Sequence, residues 1–211
     1  MDPFAQWQRV FEILNLPAEP DVVLAAPGAE QPVRDALAQV RPAARVAALE
    51  LGPGPALEGA DHPRLPLDLD RLARILTPGS VDLILLDHAL DDIVLRVVAQ
   101  HDGIELTDEP QGEYSAGPRA LRAYWRSGDL EGVVAPRLLA LLGVFERALR
   151  ESGGIILHHW VVGGDLLVGQ PFELYSEYVP VVRRWIEHAS LSLREEKLDG
   201  LDPHWWLWLA R

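Results

Sequence analysis

The sequence predicts an α/β fold: a three-layer sandwich with a mainly parallel seven-stranded sheet that ends in a C-terminal antiparallel hairpin. Short apolar runs alternate with longer segments of helical period along most of the chain. The run VDLILLDHAL places consecutive apolar residues between acids, which is typical of a strand covered on both faces. The last two strand-like runs, LSLREEKL and HWWLWLAR, have no helix between them and should pair antiparallel.

The first predicted element is an N-terminal helix, for which Asp2 and Pro3 form a good N-cap and first-turn pair. Its apolar residues recur at helical spacing as far as Leu14. Beyond it, the predicted strands are DVVLAAP, ARVAALEL, a short strand within the loop 52–69, VDLILLDHAL, GIILHHWVV and the two terminal strands. The predicted helices between them are AEQPVRDALAQVRP, DLDRLARIL, DDIVLRVVAQ, RALRAYWRSG, DLEGVVAPRLLALLGVFERALRESG and FELYSEYVPVVRRWIEHA, and Gly153 and Gly154 should separate the fifth of these from the next strand.

Composition excludes several classes of function. The formal net charge is −13 and the basic residues form no cluster, so we expect neither a nucleic-acid nor an anionic-membrane partner. The chain contains no cysteine, which rules out disulfides, thiolate metal ligands and cysteine nucleophiles. The N-terminus is amphipathic and no apolar run approaches about 18 residues, so a cytoplasmic protein is expected. P-loop, G-x-S-x-G and G-x-G-x-x-G motifs are absent from the sequence.

The order of elements resembles that of the class I S-adenosylmethionine (SAM)-dependent methyltransferases. ALRESGGIILHHWV is similar to the family's segment in which a helix and a Gly-Gly turn lead into the fifth strand. VDLILLDHALDDIV is similar to the fourth strand and the start of the next helix. The resemblance implies a Rossmann-like transferase of one domain, residues 1–211, with SAM as cofactor, a small-molecule substrate and a lid insertion at about 103–128. It leaves a homo-oligomer open.

The stretch VVLAAPGAE stands where this family has its glycine-rich cofactor loop. Glycines serve there because backbone N–H groups must approach the cofactor without an intervening Cβ. The overlay retains Gly28 and places Ala26 at a flanking glycine, which makes both candidate cofactor contacts. Leu24 stands where the family has an acid, and Glu30 stands at the other flanking glycine.

Acids after the following strands are the other candidate cofactor contacts. Glu50 ends the second strand, where the family places a carboxylate that accepts hydrogen bonds from both ribose hydroxyls. Asp68 or Asp70 could bind the adenine amino group, although Asp68 may equally cap the helix that follows. Asp87 should lie beside the methyl-bearing end of the cofactor, because ligands bind at the carboxyl ends of parallel strands.

The candidate catalytic residues are Asp91 and His88, at the end of the same strand. In the family, a general base that takes a hydroxyl proton stands near the position of Asp91. Histidine titrates close to neutrality, so His88 is also suited to proton transfer. The alternative is that Asp91 and Asp92 stabilise the helix N-terminus and that His88 only packs.

His158 and His159 lie at the end of the strand that resembles the family's fifth strand. Adjacent residues of a strand point to opposite faces of the sheet. One of the pair, His158 in our assignment, is expected to contact substrate, and the other to be buried. No metal site is expected, because a set made from His88, one of this pair and Asp91 or Asp165 has no spacing signature. In the lid, Tyr114 and Tyr124 are further substrate-binding candidates, with an acidic surface loop as the alternative.

Two hypotheses from different classes follow. The first is a SAM-dependent methyltransferase that acts on a small molecule. The alternative is a methyltransferase-like scaffold that has lost cofactor binding and serves as a binding or assembly protein, which Leu24 and Glu30 would favour. A nucleoside-binding enzyme of another kind on a similar sheet is the third possibility.

Overall fold

The structure is a computed structural model that describes residues 2–25, 30–49, 51, 67–106, 115–160 and 172–211. Within these ranges six strands alternate with eight helices. The strands are β1 (Asp21–Ala25), β2 (Arg45–Leu49), β3 (Val81–Asp87), β4 (Leu149–His158), β5 (Arg194–Glu196) and β6 (Trp206–Ala210). The helices are α1 (Pro3–Ile13), α2 (Glu30–Val40), α3 (Leu69–Ile75), α4 (Leu90–Asp102), α5 (Ala116–Ser127), α6 (Leu130–Ala148), α7 (Phe172–Tyr175) and α8 (Tyr178–Glu187).

The strands form one sheet in the order β2-β1-β3-β4-β6-β5. The four strands β2, β1, β3 and β4 are parallel, whereas β6 pairs antiparallel with both β4 and β5. The predicted mixed sheet with a terminal antiparallel pair is therefore confirmed. The short strand predicted within 52–69 falls mainly on residues 52–66, which lie outside the described part of the chain.

Two hydrophobic clusters lie on opposite sides of the sheet, because successive strand residues point to opposite faces. On one side, Val23 and Ile84 pack with buried side chains of α4, α6 and α8. On the other side, Leu24 and Leu85 pack with Trp7 and other buried side chains of α1 and α2. Complete burial of one such large apolar side chain contributes about 2 kcal/mol to folding.

Local signals explain where several helices begin and end. The Asp2 side chain accepts a hydrogen bond from the Phe4 N–H at 3.1 Å, which confirms the predicted cap of α1. Gly103 ends α4 in the left-handed region, at φ 66°, where glycine has no steric cost. No helix in the described ranges is long and apolar enough to cross a membrane.

Gly153 and Gly154 do not form the predicted turn between a helix and a strand. Helix α6 ends at Ala148 and β4 begins at once, so both glycines lie inside the strand, next to an irregularity in its pairing with β3. A Cβ on Gly154 would lie 2.1 Å from the Trp208 ring. This glycine is therefore required by the close approach of a tryptophan on the neighbouring strand β6.

The single helix predicted for residues 172–189 is divided into α7 and α8. Pro180 has no N–H, so it cannot donate to the carbonyl of Ser176 four residues earlier. That carbonyl lies instead 2.6 Å from the His204 Nε2. The proline thus removes the hydrogen bond that a continuous helix would need at residues 176 and 177.

Ion pairs connect the amino ends of β1, β2, β3 and β4. The Asp21 carboxylate lies 2.6 Å from the Arg45 Nε and 2.7 Å from Arg150 Nη2. Arg150 also binds the buried Asp82, whose carboxylate accepts the Asp21 N–H at 2.7 Å. The two arginines lower the pKa of Asp21 to about 2.

Candidate active site

The strand order creates a topological switch point between β1 and β3. From β1 the chain crosses to β2 on one side, whereas β3 and β4 lie on the other side. In open α/β sheets, ligands bind outside the carboxyl ends of the strands at such a point. β3 ends at Asp87 and β4 ends at His158, so both residues lie on the edge where a ligand is expected.

Asp87 and His158 form a hydrogen-bonded pair on this edge. They are register partners of β3 and β4, and Asp87 Oδ1 lies 2.6 Å from His158 Nδ1. Because a carboxylate can only accept, Nδ1 carries the proton of this bond. The imidazole is buried and stacks on Trp206 with ring centroids 3.9 Å apart, while the edge contact with Trp7 is at 5.5 Å. His158 Nε2 is buried without a hydrogen-bond partner among the described residues.

His88 has a left-handed backbone, with φ 50°, at the end of β3. This conformation costs a non-glycine residue about 1 kcal/mol or more. The His88 N–H donates to the His158 carbonyl at 2.9 Å, which holds the bend. The His88 ring lies 5.3 Å from the rings of both His158 and His159, so it occupies the space between the two.

His159 is buried on the other side of the sheet from His158, as the alternation of strand residues predicts. Its ring contacts Tyr175 and Tyr178, with centroids 4.8 and 4.9 Å away. Neither ring nitrogen has a hydrogen-bond partner in the described ranges. Burial and the neighbouring His88 and His158 lower the pKa of His159 to about 3, so the ring is neutral near pH 7.

Asp91 lies in the first turn of α4 and accepts a hydrogen bond from the Tyr175 hydroxyl at 3.0 Å. Its Oδ1 is buried and has no partner among the described residues. Burial and the adjacent Asp92 raise the pKa of Asp91 to about 7. Burial also raises the pKa of Tyr178 well above its ordinary value. Asp91 can therefore exchange a proton near neutral pH, while Tyr178 stays protonated.

Asp68 caps α3, because its Oδ1 accepts the Arg71 N–H at 2.9 Å. The Asp68 N–H donates to the Leu51 carbonyl, which places this residue just beyond the carboxyl end of β2. Asp68 thus caps α3 from a position at which its carboxylate can also face the switch point. The other predicted cofactor contacts, Ala26, Gly28 and Glu50, lie outside the described residues.

Tyr124 lies at the other end of α4 from His88. Its hydroxyl donates to Asp102 Oδ1 at 2.6 Å, and its ring contacts His101. Helix α5, which carries Tyr124, packs against α4 through its buried Leu121. Tyr114 and Asp165 lie outside the described part of the chain.

Two tyrosines of the cluster were not predicted from sequence. Tyr175 and Tyr178 are spaced i, i+3 in FELYSEYVP. Both rings contact His159, and the Tyr175 hydroxyl also donates to Asp91. Their spacing indicated only one apolar helix face. The sequence feature that could have indicated them is the presence of two tyrosines in the helical segment that follows the two histidines at the end of β4.

A cavity lined in part by charged groups lies at the opposite edge of the sheet. It has a volume of about 450 Å³ and is lined in part by Asp21, Arg45 and Arg150. These charges already pair with one another. The unpartnered buried polar atoms in the described ranges all belong to Asp91, His158 and His159, at the carboxyl edge.

Three ligand-type side chains converge on that edge. One ligand atom each from Asp87, His88 and His158 lie within 4.8 Å of one another. This set differs from the combinations considered from sequence, which used Asp91 or Asp165 as the acid. Apart from metal chemistry, the cluster offers carboxylate and imidazole groups that can accept or donate protons.

No family model matches the chain, and no curated protein matches it. Several solved methyltransferase structures resemble it at low identity. Human N-acetylserotonin methyltransferase in complex with SAM is 11% identical with a TM-score of 0.44, over 98% of this chain and 51% of that chain. Haemonchus contortus phosphoethanolamine N-methyltransferase 2, in complex with phosphomonomethylethanolamine and S-adenosylhomocysteine, is 12% identical with a TM-score of 0.46, over 99% and 37%.

A protein-(glutamine-N5) methyltransferase from Alicyclobacillus acidocaldarius is 14% identical with a TM-score of 0.39, over 100% of this chain and 93% of that chain. The chain spans about half the length of several of the structures that it resembles.

Proposed function

We propose that the chain is a SAM-dependent methyltransferase that acts on a small molecule, with the cofactor bound outside the carboxyl ends of β1 and β3. The observation that carries the proposal is the gathering of acid and histidine side chains at this switch point. Asp87 ends β3, His88 and Asp91 follow it, and His158 ends β4. Parallel sheets of this kind bind their ligands at the same position.

The cofactor would be held by acids beyond successive strands. Asp68 beyond β2 and Asp87 at the end of β3 supply carboxylates that can accept hydrogen bonds from amino and hydroxyl groups. We assign Ala26, Gly28 and Glu50 to the same site from the family resemblance. Leu24, which replaces an acid of the family pattern, is 4% exposed and packs in the cluster under α1 and α2. Its side chain therefore supports the core and does not fill the crevice.

Asp91 is the best candidate for the base that accepts a proton from the methyl acceptor. A base is most effective when its pKa lies near the working pH, and burial beside Asp92 raises the pKa of Asp91 to about 7. Tyr175 fixes one carboxylate oxygen, and the other is unpartnered among the described residues. His88 is the second candidate for this role.

When bound, SAM supplies the methyl group, and the chain's own residues position the acceptor for in-line attack. His158 and Tyr114 are proposed to contact the substrate, with residues at about 103–128 as a lid on a single domain. Tyr124, which was predicted for the same role, is hydrogen-bonded to Asp102 at the other end of α4 from His88 and is not proposed to contact the substrate. We also propose the complete seven-stranded, three-layer methyltransferase fold, with the remaining strand within residues 52–69.

Calorimetric titration of the full-length chain with S-adenosylhomocysteine in EDTA tests the proposal. We expect saturable binding that weakens by about tenfold or more in Asp68→Asn, because hydrogen bonds to a charged acceptor contribute about 1.5–3 kcal/mol. Asparagine retains the ability to cap α3, so folding should be preserved. Of the two acids considered for the adenine amino group, Asp70 is the exposed one, on the surface of α3, and Asp68 is half-buried. Asp70→Asn is therefore the matched control, which removes the same charge and should leave binding unchanged.

Two other results would overturn the proposal. Binding of ATP or a nucleotide sugar in place of adenosyl compounds would indicate a different nucleoside enzyme. No binding of any of these at millimolar concentration by folded protein would favour the alternative, a methyltransferase-like scaffold that has lost its cofactor.

A further inference from the structure

We propose that Asp87, His88 and His158 form a binding site for one divalent transition-metal ion, such as Zn²⁺, at the carboxyl ends of β3 and β4. The proposal rests on the convergence of these three side chains. The three residues also belong to the methyltransferase site proposed above, but the metal site does not require that function to be correct.

The backbone brings the three ligands together. Asp87 and His158 are opposite one another in the parallel register, so their side chains leave the sheet at the same level. His88 would point away from Asp87 if the strand continued, because adjacent strand residues face opposite sides. Its left-handed conformation, at φ 50°, interrupts that alternation. One ligand atom from each residue then lies within 4.8 Å of the other two.

The unfavourable backbone and burial of this arrangement indicate a functional role. A left-handed histidine is strained, and such strain is concentrated at functional sites. The His88 N–H bond to the His158 carbonyl holds the bend in place and ties the second ligand to the third. His158 is 3% exposed and retains an unpartnered Nε2 among the described residues, which is a second unfavourable feature at the same point.

The imidazole of His158 is fixed before any ion binds. Trp206 stacks on one face of the ring and Trp7 contacts it edge-on. The hydrogen bond between Asp87 Oδ1 and His158 Nδ1, at 2.6 Å, joins two ligand-type atoms through one proton. A divalent ion bound by Asp87 Oδ1 and His158 Nδ1 would replace this shared proton, which would move to Nε2 of the same ring, since the ligating nitrogen must be deprotonated.

The donor set selects the class of ion. Two imidazoles and one carboxylate suit Zn²⁺, Fe²⁺, Co²⁺ and Mn²⁺, whereas Mg²⁺ and Ca²⁺ prefer all-oxygen sites. Three protein ligands leave at least one coordination position open for water or a bound molecule, as in catalytic zinc sites. The overall charge of −13 also favours the approach of a cation.

The test is calorimetric titration of tag-free, EDTA-treated and dialysed protein with ZnCl₂, and separately the visible absorption of the protein with CoCl₂. We expect saturable binding of one ion per chain. His88→Gln should weaken Zn²⁺ binding by about tenfold or more, since even partners behind the ligands affect affinity by 10- to 100-fold. The matched control is His101→Gln, which removes an exposed imidazole from the last turn of α4 and should leave the affinity unchanged.

A second measurement uses the unmodified protein, so that it does not depend on the folding of a variant. On addition of Zn²⁺, the NMR signals of the His88 and His158 rings should shift, and those of His101 and His188 should not. The proposal is overturned if no saturable binding occurs, if His88→Gln and His101→Gln bind equally well, or if other histidines shift instead. Binding of S-adenosylhomocysteine is measured in EDTA, so failure of either proposal leaves the other intact.

Discussion

Asp87 Oδ1 lies 2.6 Å from His158 Nδ1, and the two residues end adjacent parallel strands in direct register. The pair joins the two strands at the edge where the unpartnered polar atoms of the described chain gather. His158 is buried between tryptophans, and Asp87 is the hydrogen-bond partner of its Nδ1 there. The Asp87 carboxylate therefore stabilises the fold at this edge of the sheet and also gives the edge a negative charge.

Asp87→Ala should destabilise the chain by about 1–3 kcal/mol, because it leaves His158 Nδ1 buried without its acceptor. Asp87→Asn retains an oxygen acceptor and should cost less. The free energy of unfolding from urea titration, monitored by circular dichroism, measures the difference. Equal stability of the wild-type protein and Asp87→Ala would show that the hydrogen bond makes no net contribution.

His159 should make stability depend on pH. Its pKa is lowered to about 3 by burial and by His88 and His158, whereas an unfolded histidine titrates near 6.5. Between these two pKa values the unfolded chain binds more protons than the folded chain. The contribution of His159 to the free energy of unfolding is therefore complete above about pH 6.5 and is lost as the pH falls.

The comparison is between the wild-type protein and His159→Phe, which keeps a ring against Tyr175 and Tyr178. Between pH 7.5 and 5.5, in EDTA, the wild-type free energy of unfolding should fall by about 1 kcal/mol more than that of the variant. Parallel curves for the two proteins would indicate that His159 is protonated as readily in the fold as in the unfolded chain.

Gly154→Ala should destabilise the chain by about 1–3 kcal/mol or more, because the alanine Cβ would lie 2.1 Å from the Trp208 ring. Gly132→Ala is the matched control. It lies in α6 with nothing near the new Cβ, and should stabilise the helix by about 0.5–1 kcal/mol. Thermal unfolding of both variants should give shifts of opposite sign, and a similar shift in both would contradict the packing account.

Arg150→Ala should lower the urea concentration at the midpoint of unfolding, because it removes the arginine partner of the buried Asp82 carboxylate. Arg45 also pairs with Asp21, but its side chain is 66% exposed, so Arg45→Ala should have the smaller effect. Urea unfolding at pH 7 compares the two. A larger effect of Arg45→Ala would contradict this, because it would mean that the exposed Arg45–Asp21 pair contributes more to stability than the Arg150–Asp82 pair.

The sequence predicted the elements whose signals are local and long. VDLILLDHAL formed a buried strand, and Asp2 capped the first helix, because apolar runs and capping side chains act through near neighbours. It also predicted that His158 and His159 would face opposite sides, since strand geometry alone decides this.

Features that depend on contacts across the sheet could not be predicted in this way. Gly153 and Gly154 were expected to form a turn, but Gly154 is required by Trp208, a residue more than fifty positions away. The left-handed conformation of His88 has no signal in the letters around it, because the His158 carbonyl stabilises it from another strand. The convergence of Asp87, His88 and His158 follows from that bend, and so the sequence did not indicate it.

A crystal structure of the chain with S-adenosylhomocysteine is the most direct test of the central claim. The account predicts adenosyl density beyond the carboxyl ends of β1 and β3, within contact of Asp68 and Asp87. Density at the opposite edge, in the cavity beside Arg45 and Arg150, would contradict it, as would crystals that show no ligand under conditions where calorimetry detects saturation.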